Sequence, residues 1–156
     1  AQERINKDDI YEINNSQEIT KQILKLLKSI KNLDKNIDPF LESKNKDTIK
    51  EYFFIKEIFI IIIKELENIS SNSNLDNIDK MYKIKALQQK LISFDNLSSS
   101  QIEKLFEEKK IDAKNSTKVL KDISFSILIC QNLIDIFITL FVEDNFLLLD
   151  EDENLN

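Results

Sequence analysis

The chain has 156 residues, 22 basic and 28 acidic, for a formal net charge of −6; it contains no glycine, histidine or tryptophan, and one each of proline, cysteine and methionine. That inventory leaves no imidazole for base catalysis or metal ligation, no cysteine pair for an internal disulfide or thiolate zinc site, and none of the glycines that phosphate-cradling loops and nucleophile elbows need. What is left is a single domain, residues 1–156, long enough to bury a core.

Tight hairpin turns lean on Gly, Pro and Asn-Gly pairs, so sheets are disfavoured. Helices tolerate a glycine-free chain, because Asn can take the left-handed cap position. The expected fold is therefore all-α, an antiparallel bundle of four to five helices around a central apolar helix. The 26 isoleucines lean the other way. Together with Lys and Asn they look like the drift of an A+T-rich genome.

Residues 1–14 are polar and read either as a flexible N-terminal arm or as the start of a first helix. Asn15 and Glu18 have the spacing of a capping box. Ile19, Ile23, Leu26, Ile30, Leu33 and Ile37 then recur at steps of three and four, an apolar seam that Leu24 and Leu27 widen. Asp38-Pro39 is read as the stop. Asp47 is the expected cap of a second helix, running to about Ile69. Its run Ile58-Phe59-Ile60-Ile61-Ile62-Ile63 is apolar on every side, which predicts the central helix; a buried strand is the competing reading there.

The run 70–74 is a loop. A third helix is expected over about Asp76 to Ser93. Ser98-Ser99-Ser100 read as the end of a second loop, with Ser100 and Glu103 capping a short helix. The last helix is expected from Asn115 or Ser116 to about Val142. Its stretch 123–142 has the length and hydropathy of a membrane span, but Gln131, Asn132 and Asp135 sit in its middle, so a buried core helix is the better reading. Cys130 on that helix reads as a small buried hydrophobe.

Gln131, Asp135, Thr139 and Glu143 follow at four-residue steps and form one polar stripe, either solvated or lining a partner interface. Lys104, Lys109, Lys110, Lys114, Lys118 and Lys121 make a local basic patch. Charge is also divided along the chain: residues 1–121 hold 22 basic and 20 acidic side chains, net +2, whereas residues 122–156 hold none and 8, net −8. Phe146 to Leu149 lead into Asp150-Glu151-Asp152-Glu153, which closes the acidic C-terminal tail, 144–156, and could dock on a basic partner. The candidate partner-binding residues are thus Gln131, Asp135, Thr139, Lys109, Lys110, Lys114, Asp150 and Glu151. No catalytic, cofactor-binding or metal-binding residue is singled out.

The polar stretch Ala1 to Asn15, the seam Ile19 to Ile37 and the loop Ser70 to Asn74, in a lysine-, isoleucine- and asparagine-rich chain, resemble the ectodomains of outer-surface lipoproteins of Borrelia spirochaetes. The resemblance lies in composition across the whole chain and in no specific motif. It implies a lipid-anchored protein of the outer membrane and cell surface, its anchor removed, that binds a host protein such as a complement regulator or matrix component. Cys130 and the −8 segment depart from that pattern. The expected function is a non-enzymatic helical protein-binding module at the cell surface, meeting the membrane only through such an anchor. No cofactor or small-molecule substrate is implied. The alternative is a cytoplasmic acidic regulator or immunity-type protein that masks a basic partner. Nucleic acid is disfavoured as a partner, because Arg4 is the one arginine and the pI is near 4.8.

Overall fold

The computed structural model describes residues 7–41 and 45–142. They form four helices, α1 (Lys7–Leu41), α2 (Lys46–Ser71), α3 (Asn77–Glu107) and α4 (Ala113–Phe141). No strand occurs among the described residues. The expected all-α bundle is what the chain adopts, with four helices.

The helices run up-down-up-down. Asn45, at the start of α2, donates from Nδ2 to the carbonyl of Lys110, just past the end of α3, at 2.9 Å. Lys80, in the first turn of α3, reaches the carbonyl of Phe141 at the end of α4. Ile37, late in α1, packs with Tyr52 and Ile55, early in α2, and with Ile123, early in α4. Short connections such as 72–76 and 108–112 allow no other arrangement of neighbours.

The starts of α2, α3 and α4 each have a cap. Asn45 is extended and accepts from the Asp47 and Thr48 amides, so Asp47 is a first-turn residue and not the cap. Asp76 caps α3 through the Asp79 amide. Asp112 caps α4 through the Asn115 amide, which starts that helix two residues before the expected Asn115.

At its own start, α1 takes in residues 7–14, so the second of the two readings holds for them. At the other end it passes Pro39 and is described to Leu41, so Asp38-Pro39 is not the stop the sequence suggested: the helix runs on through the proline. Its seam is only half buried. Leu26 and Leu33 are in the core, whereas Ile23 and Ile30 lie on its shoulder.

Two further expectations are overturned. First, α3 does not break at Ser98-Ser99-Ser100. Ile84, Leu87, Leu91, Ser98, Ile102 and Leu105 form one buried line at helical spacing, and the serines sit inside it. The continuous apolar face outweighs the local preference of serine for turns. Second, α2 is not buried on every side: α2 and α4 each touch all three other helices, and α4 is the more heavily packed of the two. In α2, Ile58 and Ile62 are buried, but Ile60, Ile61 and Ile63 are exposed. The apolar run there is one core stripe with two uncovered flanks.

The core has three connected parts. One joins Ile62, Leu66 and Ile69 of α2 to Ile84 and Leu87 of α3 and to Cys130 and Ile134 of α4. A second, at the other end, joins Tyr52, Ile55, Ile102, Leu105, Val119 and Ile123. The third seats Leu26 and Leu33 of α1 on Ile129. Phe59 packs against all three. Cys130 is fully buried as expected, and burial pushes its thiol up to about 12. Among the described helices α4 is the one long and apolar enough to cross a membrane, with a mean hydropathy of 1.9 over its most apolar window.

Candidate functional site

The residues singled out from sequence fall in two separate places. Gln131, Asp135 and Thr139 are all half-buried on α4. Gln131 donates from Nε2 to Asp135 Oδ1 at 2.8 Å, and the Thr139 hydroxyl donates to the Asp135 carbonyl at 2.9 Å. The stripe therefore satisfies itself along its own helix. Beside it, Asn132 is buried, and its Nδ2 has no hydrogen-bond partner among the described residues.

Lys109, Lys110 and Lys114 lie at the other end of α4, about 25 Å from Gln131 at 1.5 Å per helical residue. There α3 ends in a left-handed residue. Lys109 has φ 56°, its amide donates to the Phe106 carbonyl, and the Lys110 amide donates to the Leu105 carbonyl. This is the Schellman closure that glycine usually makes and that the sequence suggested asparagine would make. A hollow of about 620 Å3 opens beside this corner, lined by Asn45, Phe106, Lys109, Lys110 and Asn115 among others. Lys110 pairs with Glu108 at 2.7 Å, which raises the lysine and lowers the carboxylate from their ordinary values. Lys114 is exposed on the first turn of α4. Asp150, Glu151 and the acidic tail lie outside the described residues, as does Glu143.

Sequence reasoning passed over two buried carboxylates. Asp122 of α4 is 0% exposed and accepts from the Tyr52 hydroxyl at 2.6 Å. Burial and the neighbouring carboxylate both raise the Tyr52 hydroxyl far above its ordinary value, so it stays a donor. The Ser126 hydroxyl, also buried, donates to the Asp122 carbonyl at 2.7 Å.

Glu51, one residue before Tyr52, is 3% exposed. It lines a pocket of about 300 Å3 between α2 and α3, with Lys50, Phe54, Phe94, Leu97, Ser98 and Gln101. Burial raises its carboxyl above the ordinary range, and the nearby Lys50 charge offsets this only in part. No hydrogen bond or ion pair joins Glu51 or Ser98 to another side chain among the described residues. A signal for both carboxylates was present in the sequence. Thr48, Glu51, Tyr52, Ile55 and Ile58 share one helical face, as do Val119, Asp122, Ile123 and Ser126.

Among the described residues no three Cys, Asp or Glu side chains gather closely enough to hold a metal ion. No protein-family model matches the chain, no curated protein matches its sequence, and no solved structure matches it.

Proposed function

We propose that the chain is a non-enzymatic helical module that binds another protein. One observation carries this reading. Ile23, Leu24, Leu27 and Ile30 occupy a single side of α1, are 41–61% exposed, and have none of the other described helices packed over them. A contiguous apolar stripe of that kind marks a protein-contact surface more often than an ordinary solvated face. Composition supports the non-enzymatic part, since the chain has no histidine and none of the glycines that phosphate-cradling loops and nucleophile elbows use. The compositional resemblance supports a lipid-anchored, cell-surface setting with a host protein as partner.

The test is direct binding. The purified chain is titrated against individual plasma and matrix proteins. Saturable binding of one of them is expected, and Leu24→Glu with Leu27→Glu weakens it by about tenfold or more while leaving the unfolding midpoint in place. Absence of saturable binding across those proteins, or binding that ignores the two substitutions, overturns the reading.

A further inference from the structure

The pocket between α2 and α3 brings together groups of two kinds. Glu51 and Ser98 are each more than nine-tenths buried, no hydrogen bond joins either to another described residue, and the polar atoms of neither are sealed off without a partner, so their oxygens open onto the pocket. Phe54 and Leu97 are exposed at its rim, and Phe94 is half-buried where it packs onto both main parts of the core. The volume of about 300 Å3 lies at the lower end of the range found for ligand pockets.

Oxygens that open onto a pocket are paired by its water, and a ligand that displaces that water must pair them itself, a carboxylate being the costliest to leave alone. An entirely apolar ligand would cover Glu51 and Ser98 without pairing either. An anion would meet a carboxylate of its own sign. A metal ion would find a single carboxylate where it needs several oxygen donors. A cation with an apolar body meets every feature present. Its charge pairs with Glu51, its N–H groups can be accepted by Ser98 and Gln101, and its body lies on the phenyl faces.

We infer that the α2–α3 pocket binds a small organic cation, an ammonium group carried on a compact apolar body, with Glu51 as its counter-ion. The chain already shows the chemistry at the rim. Lys50 Nζ lies 5.9 Å from the centroid of the Phe54 ring, so an ammonium of the protein itself rests on one wall. That lysine competes with the ligand for the same aromatic face. The site is independent of the apolar shoulder of α1 and stands or falls without it.

Three probes that share one body but differ in charge test this on the full chain: 2-phenylethylammonium chloride, 2-phenylethanol and phenylacetate. Binding is followed by amide chemical shifts. The ammonium should saturate shifts on α2 and α3 and bind about tenfold tighter than the alcohol, with phenylacetate weaker still. Glu51→Gln should remove that preference, and Lys50→Gln should tighten the ammonium by about threefold. Leu97→Trp, at an exposed rim position, should close the mouth and abolish binding with the fold intact, which covers the case in which a Glu51 variant does not fold. Equal affinity for ammonium and alcohol, or no saturable shift with the ammonium at millimolar concentration, overturns the assignment. So does a charge preference that survives in a folded Glu51→Gln chain.

Discussion

Asp122 and Glu51 are both buried acids at the same end of the bundle, and they are buried in different ways. Asp122 is held from across the core by the Tyr52 hydroxyl, and Ser126 donates to its backbone carbonyl. Glu51 and its neighbour Ser98 face a pocket instead. A polar group that its own fold satisfies is structural. One that the fold leaves facing space is available to something else. Burial alone does not separate the two cases; the partner list does.

The contrast predicts a graded series of stabilities. Asp122→Ala should cost the most, about 3 kcal/mol, because it leaves the Tyr52 hydroxyl buried without an acceptor and opens a void. A urea midpoint that barely moves would make Asp122 no different from Glu51. Ser126→Ala comes next, at about 1 kcal/mol for one buried hydrogen bond, read from the same curves.

Glu51→Gln should act in the opposite direction and stabilise the chain by about 1 kcal/mol at neutral pH, since it removes a charge that burial disfavours. Its pH dependence follows from the raised carboxyl. The ordinary value is 4.5, and the folded chain holds the proton more tightly than the unfolded one. The contribution of Glu51 to stability is therefore fully present below 4.5 and is lost as pH rises through the raised folded value. Thermal midpoints of wild type and Glu51→Gln should converge in acid and separate across that window. Ser98→Ala is the smallest effect, within about 0.5 kcal/mol, because no protein hydrogen bond is lost. A Ser98→Ala cost equal to that of Ser126→Ala would erase the distinction between core and pocket.

Much of the fold was legible in the residues. Steps of three and four in Ile19–Ile37, and the polar run 70–74, located α1 and the turn into α3 because spacing and turn chemistry are local properties. What escaped depended on the far side of each helix. Nothing in Ile58–Ile63 says which isoleucines meet a neighbour, so α2 looked buried all round when only one stripe of it is. Ser98 looked like a loop residue because its place in the buried line from Ile84 to Leu105 shows only when the line is extended through it. The site suffered for the same reason. Glu51 was read as one charge among many, and it matters because Phe94 and Ser98 arrive from a helix some forty residues later. Lys109 and Lys110 stood out in the sequence because a lysine-rich corner announces itself, and the stripe Gln131–Asp135–Thr139 because it is local to one helix.

The left-handed lysine at the end of α3 bears on how the molecule comes apart. A side chain with a Cβ is disfavoured there by about 1 kcal/mol, and that strain is relieved once the corner frays. Fraying presents Lys109 and Lys110 together, a dibasic target for trypsin-like proteases. A cut at this joint would sever α4 from the three helices that sheathe it. That helix would then be a detached apolar rod, kept from aggregating only as long as its former neighbours still clasp it.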